Sequence, residues 1–233
     1  MKLHPLPWLC CTLALAAPVA SWAAELVSVG GVSYRIPVTS IKEARFRSTV
    51  HQQYDFSCGS AALATLLTYH YNYPMSEQQA FQEMFIKGDQ QKIRAEGFSL
   101  LDMKRFLAGH GFVADGFELP LDKLVSAKFP AIVLIVEKGY HHFVVVKGVQ
   151  EDRVLLGDPS GGTRSMGRST FESVWPNHLL FVIHQRNGPA NNGKPQFNDV
   201  ADWKVAPRAF LGDAIDRDGL ARVVVPRNGP GEF

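Results

Sequence analysis

Cys58 stands in the stretch QQYDFSCGS, which starts at Gln52 and runs directly into AALATLLTYH. A thiol does chemistry as its thiolate, and the start of a helix favours that form, because unpaired backbone N–H groups and the positive end of the helix dipole face it. Ser57 is a good N-cap residue, and Ala61, Ala62, Leu63, Leu66 and Leu67 give a continuous apolar face behind it, so Cys58 is expected in a first helical turn. Gly59, Ser60, Ala61 and Ala62 are small enough to let a substrate backbone lie against the helix end. Gln52 carries an amide that can donate to a developing oxyanion if the intervening loop folds back over the helix start. Two further residues sit where a base and its orienting acid would be needed. His142 opens one β-branched run and Asp158 closes the next, just ahead of Pro159, so antiparallel pairing of the two strands brings both side chains to one end of a sheet. Each has an ordinary explanation alone: a packing cysteine, a satisfied histidine at a strand mouth, an aspartate capping an Asp-Pro-Ser-Gly turn. As a set they are the cysteine, histidine and aspartate of nucleophilic acyl chemistry.

The front of the chain bears on the thiol. Lys2 and His4 precede an apolar run from Leu6 to Ala17, and Ser21 and Ala23 are small residues fitting a cleavage after Ala23, the pattern of a secretory signal peptide. The apolar core is too short for a stable bilayer span, which favours cleavage over the alternative of an uncut anchor; no apolar span occurs beyond the signal, and the expected location is the periplasm. Cys10 and Cys11 leave with residues 1–23, and Cys58 remains alone. A single thiol in an oxidising compartment cannot close an internal disulfide, which points to chemistry or intermolecular pairing. No CxxC or HExxH spacing occurs, and neither a metal nor a cofactor is expected. With 233 residues and a formal charge of +2, the chain reads as one domain of ordinary size with no electrostatic pull toward nucleic acid.

The elements that must position these residues read as α+β: helices with the nucleophile at a helix start, packed on an antiparallel sheet. Glu25 to Pro37 predicts a β-hairpin turning at Gly30-Gly31, and Ser40 to Val50 a polar connection. The Cys58 helix should end between Tyr71 and Pro74. Ser76 with Gln79 predicts a capping box opening a second helix closed by Gly88 and Asp89, and Ser99 with Asp102 opens a third, stopped at Gly109. His110 beyond that stop reads as solvated. A short helix is expected at Pro120 to Val125. Three strands follow, AIVLIVE from Ala131, HFVVVKGV from His142 and RVLLGDP ending at Pro159, then a Gly161-Gly162 loop, a short helix with Phe171 and Trp175 inward, and a last strand Leu179 to His184. The expected organisation is a signal peptide 1–23, hairpin and connection 24–50, catalytic domain 51–184, and linker and tail 185–233. The tail holds Trp203, Val205, Phe210, Leu211 and Val223 to Val225, enough apolar surface to dock on its own domain.

In order along the chain, Gln52, Cys58-Gly59, His142-Phe143-Val144 and Asp158-Pro159 resemble the motifs of the bacteriocin-processing cysteine peptidases, a papain-like family that usually cuts export leaders after a double glycine. The resemblance spans Gln52 to His184 and implies Cys58 as nucleophile, His142 as base, Asp158 as orienting acid and Gln52 as oxyanion donor; it selects His142 over His141 and Gln52 over Gln53. Two departures stand out. The family commonly has Asp before the cysteine where this chain has Ser57, and its members are often the front end of ATP-driven transporters, whereas this chain has no GxxxxGK[ST] phosphate loop. The signal peptide makes it similar to a stand-alone, exported branch that serves functional-amyloid secretion. The implied partners are a peptide or protein substrate and components of an amyloid export system. Two rival readings stay open: a non-catalytic peptide-binding or chaperone module with a papain-like groove, and acyl transfer by the same triad.

Overall fold

A computed structural model describes residues 24–29, 32–37, 39–186 and 195–206. The segment 1–23 expected as a signal peptide, the turn expected at Gly30-Gly31, and Phe210, Leu211 and Val223 to Val225 lie outside the described residues. The chain divides into two compact units, residues 1–39 and 40–233. In the first, β1 (Ala24–Val29) and β2 (Val32–Pro37) pair antiparallel, with Ala24 opposite Pro37 and Val29 opposite Val32.

The second unit opens with α1 (Ile41–Arg45), capped by the Ser40 hydroxyl, within the stretch expected as a polar connection. The helix α2 (Cys58–Thr65) is buried along its whole length. It passes into a π-helical turn, Leu66–His70, which keeps Leu66, Leu67 and His70 inside. The expected capping box at Ser76 and Gln79 opens α3 (Glu77–Lys87). Asp89, expected as part of a stop, is instead the N-cap of a further helix, α4 (Gln90–Glu96), its carboxylate accepting from the N–H groups of Gln91 and Lys92. Ser99 and Asp102 form the capping box of α5 (Leu100–Gly109). His110 is not solvated as expected: Nδ1 bonds the Tyr73 hydroxyl at 2.9 Å and Nε2 the Glu83 carboxylate at 2.9 Å.

A strand that the sequence reading missed, β3 (Phe112–Glu118), comes next, then α6 (Asp122–Ala127) close to its expected place. The meander β4 (Ala131–Glu137), β5 (Tyr140–Val149) and β6 (Arg153–Asp158) follows as expected, and continues into a second missed strand, β7 (Gly162–Gly167). Then come α7 (Arg168–Val174), β8 (Leu179–Arg186) and, within the stretch read as tail, α8 (Val200–Val205). The sheet is antiparallel with order β3-β8-β4-β5-β6-β7.

Both faces of the sheet are covered, which is why β4 and β5 read as near-continuous apolar runs and not as alternating ones. Ile132, Phe143, Val145, Phe181 and Ile183 pack with Leu63, Leu67, Met103 and Phe106 of the helical layer. Their strand neighbours Val133, Val144, Val146 and Leu180 pack with Leu124, Phe171 and Trp175 on the other side. Close approach of α2 to this layer requires Gly59, where an added Cβ would lie 2.7 Å from the Met103 methyl and 3.1 Å from Phe98 Cβ.

Candidate active site

Cys58 is the first residue of α2, and its side chain is nearly buried (6% exposed). Ser57 stands at the N-cap as expected, but its hydroxyl does not cap. It accepts from the Tyr54 N–H (3.1 Å) and donates to the Tyr54 carbonyl (3.0 Å), closing the preceding loop into a tight turn. The first N–H groups of the helix are therefore left without this side-chain acceptor, which suits a site that must receive negative charge.

His142 and Asp158 meet at one end of the sheet. His142 Nε2 lies 2.8 Å from Asp158 Oδ1, both side chains being buried. The aspartate is held as an anion by a full set of donors. Oδ1 also accepts from Ser160 N (2.8 Å), Ser160 Oγ (2.7 Å) and Gly161 N (3.2 Å), and Oδ2 accepts from Arg164 Nε (2.7 Å). Burial opposes the charge, but hydrogen bonding and charge from His142, with Arg164 and Ser160, keep the Asp158 carboxyl well below the usual range. An ionised carboxylate can only accept, so Nε2 carries the proton and Nδ1 faces the other way. There Nδ1 is buried with no formed hydrogen bond among the described residues. Besides Asp158, Cys58 is the group that acts on the ring. Burial pulls the His142 pKa down, but Asp158 and then Cys58 push it up to about 9.

Gln52 is tied to the same end of the sheet, its N–H donating to the Pro159 carbonyl (3.0 Å), one residue past Asp158. Its Nε2 donates to the Tyr54 carbonyl (3.1 Å), while Oε1 is buried without a partner. One of the two amide hydrogens thus remains for another acceptor.

Several residues of this site were not anticipated. Arg164 of β7 clamps Asp158 and also Glu137 of β4 (3.1 Å). A cation on the strand after the Asp-Pro turn was the available signal, but β7 is poor in β-branched residues and was not recognised as a strand. Tyr140 follows the Lys138-Gly139 turn, both of whose residues have positive φ, and its hydroxyl donates to the Asp55 carbonyl (2.8 Å) in the loop before Cys58. Its ring lies 5.8 Å from that of His142, and burial followed by the charge of Cys58 raises the phenol pKa. A groove of about 1060 Å³ runs up to this point between the α4–α5 layer and β4–β5, lined by Phe98, Leu100, Leu134, Tyr140, Phe143 and Trp175 among others. Among the described residues, no group of three or more His, Cys, Asp or Glu side chains is arranged to hold a metal ion.

The family model of the peptidase C39 family matches residues 47–187, more than half of the chain and the whole span that carries these residues. The chain belongs to the peptidase C39 family. This peptidase is 40% identical over 178 residues to a Pseudomonas fluorescens protein named Probable functional amyloid protease FapD, covering 75% of the chain and 77% of that relative. A Pseudomonas aeruginosa protein of the same name is 39% identical over 194 residues, covering 78% and 85%. Among solved structures, the peptidase domain of Streptococcus ComA, a bi-functional ABC transporter involved in a quorum sensing pathway, superposes with a TM-score of 0.50 at 23% identity, covering 59% of the chain and 98% of that domain. The fold of the C39 cysteine peptidase is thus the expected papain-like α+β arrangement, helices on an antiparallel sheet.

Proposed function

We propose that Cys58 is the nucleophile, His142 the general base and acid, Asp158 its orienting anion, and the Gln52 amide with the Cys58 N–H the oxyanion site of a peptidase that acts after export, in the periplasm, on an exported peptide or protein of functional-amyloid secretion. The observation that carries the catalytic reading is the setting of His142, with Nε2 on Asp158, Nδ1 buried and left for another partner, and Cys58 at a helix start acting on the same ring. In the reaction the Cys58 thiolate attacks the scissile carbonyl carbon, and its π electrons move onto oxygen, where the donors receive them. Collapse breaks the C–N bond while Nδ1–H of His142 protonates the departing amine. Water then attacks the thioester, giving its proton back to Nδ1, and the thiolate leaves. The groove beside Tyr140 and Phe143 offers apolar walls for the peptide on one side of the bond.

Support for the biological setting comes from the signal-peptide pattern of residues 1–23 and from the name that the two Pseudomonas relatives share. Among the described residues, no helix is long and apolar enough to cross a membrane.

The deciding experiment is mass-spectrometric labelling of Cys58 by a peptide-like thiol-reactive probe across pH, with His142→Ala alongside. Fast labelling near neutral pH that collapses in the variant is expected. Slow, equal labelling of both would refute the assignment. In turnover of a fluorogenic peptide selected for cleavage by the wild-type protein, Gln52→Ala is expected to lose about 10² to 10³ in kcat with its fold intact. The product should be the hydrolysed acid even with added amines. Export predicts that protein recovered from the periplasm begins at Ala24, and an intact mass retaining residues 1–23 would contradict it.

A further inference from the structure

The stretch 196–206 lies beyond residue 187, where the family match ends, yet it is joined to the domain through buried polar contacts. Gln196 N donates to the His70 carbonyl (3.3 Å) and His70 Nδ1 bonds the Gln196 carbonyl (2.6 Å). Asn198 N donates to the Lys147 carbonyl (2.9 Å) and its side chain to the Val149 carbonyl (3.0 Å), where β5 bulges. The helix α8 then delivers Asp202, whose Oδ2 is 2.6 Å from Lys147 Nζ and whose Oδ1 accepts from the Ser48 hydroxyl. Lys147 is 1% exposed. An ammonium that deep keeps its charge only beside an anion, and among the described residues Asp202 is the carboxylate paired with it.

Lys147 in turn holds the chain that leads into the active site. Its Nζ donates to the Ser48 carbonyl (2.8 Å) and lies 2.9 Å from the Ser48 hydroxyl. From there the next anchors follow without slack: Thr49 Oγ1 to Thr163 Oγ1 (2.8 Å), Val50 N to Thr65 Oγ1 on α2 (2.9 Å), and Gln52 N to the Pro159 carbonyl (3.0 Å). The Lys147 stem packs against Gly157, next to Asp158, where an added Cβ would lie 3.0 Å from Lys147 Cδ, so the glycine leaves the room that the buried lysine occupies.

We propose that Asp202 is a positioning residue for the peptidase: through Lys147 and Ser48 it fixes the segment that carries Gln52, so that a strap outside the family-matched span is required for turnover. This rests on the reading of Gln52 as an oxyanion donor. It predicts a defect confined to the oxyanion side of the site, with the Cys58–His142–Asp158 pairing intact.

The test uses the mature full chain and a fluorogenic peptide selected for cleavage by the wild-type protein. Asp202→Ala should lower kcat by about 10- to 100-fold, the scale of a small misplacement, with KM changed by no more than about twofold. Alkylation of Cys58 by iodoacetamide, which needs a thiolate and no oxyanion site, should keep its wild-type rate and pH profile. In a Gln52→Ala background, Asp202→Ala should cost nothing further, because both act through one group. Lys204→Ala, an exposed change on the same helix, is the control with unchanged kcat. Should Asp202→Ala not fold, Asp202→Asn keeps shape and acceptor and removes the charge, and a several-fold loss of kcat is expected of it. Wild-type kcat in a folded Asp202 variant, or an equal further loss in the Gln52→Ala background, overturns the proposal. Wild-type kcat in Gln52→Ala alone would remove the oxyanion reading itself, a separate and recognisable outcome.

Discussion

His70 makes the fold acid-sensitive in a defined window. The ring is buried under the strap, with Nδ1 on the Gln196 carbonyl and Nε2 without a partner among the described residues. Burial, and then the charge of Lys147, lower its pKa from 6.5 to about 4, against smaller opposing effects of the Gln196 carbonyl, Asp202 and Asp199. Unfolded, His70 takes up a proton near pH 6.5; folded, it does so only near 4. The unfolded chain therefore binds more protons between these values, and stability falls as pH drops through the window, then levels off below it. The drop from 6.5 to about 4 corresponds to about 3 kcal/mol. In urea unfolding this is a fall in midpoint of about 1 to 2 M between pH 6.5 and 4. His70→Asn retains an N–H donor for Gln196 and does not titrate, so its midpoint should be nearly flat over the same range. Asp158 does not confuse the result, because the stability from its lowered pKa is present above its unfolded value of about 3.9 and is lost only below that. Parallel midpoint curves for wild type and His70→Asn would refute this account.

Three further outcomes are expected. With His142 as the proposed general acid, the kcat/KM profile should fall above about pH 9, where the ring loses its proton, and Asp158→Asn should move that limb to lower pH; stopped-flow or fluorogenic rates across pH check it. Because its folded pKa is raised, His142 also stabilises the fold fully below pH 6.5, and this contribution is lost as pH rises toward about 9. Arg164→Met leaves the buried Asp158 Oδ2 without its partner and should cost about 2 kcal/mol in chemical unfolding, with a lowered kcat. Gly59→Ala forces a Cβ against Met103 and Phe98 and should cost about 1 to 3 kcal/mol, read as a lowered melting temperature.

The sequence was most legible where local chemistry decides structure. The capping boxes at Ser76 and Ser99 fix α3 and α5 by hydrogen bonds within a few residues, and the β-branched runs from Ala131 onward can hardly do other than pair. His142 and Asp158 could be placed at one sheet end because they sit at the ends of consecutive strands. What was missed depends on distant partners. Asp89 ends nothing, since the chain turns and starts α4 from the same residue. β3 contains Ala114, Asp115 and Gly116, and β7 contains Gly162, Thr163 and Ser165; both are strands because neighbours pair with them. His110 has the sequence context of a solvated residue and is bonded by Tyr73 and Glu83, each remote in sequence. Arg164 and the Lys147–Asp202 pair belong to the same class: a charge whose meaning is set by an anion elsewhere.

The position of β8 between β3 and β4 constrains when the molecule can become whole. The run from β4 to β7 zips up from near neighbours, whereas β3 pairs with no other strand among the described residues and must wait for residues about 60 to 75 positions later, Glu118 meeting Leu179 and Phe112 meeting Arg186. During synthesis the histidine and aspartate half can therefore assemble first, while one border of β4 stays open until Leu179–Arg186 has emerged. Such late, long-range closure slows folding, and it leaves an unpaired edge on a nascent chain. A chain cut short before Leu179 would carry that edge permanently, and its fate is clumping with other copies.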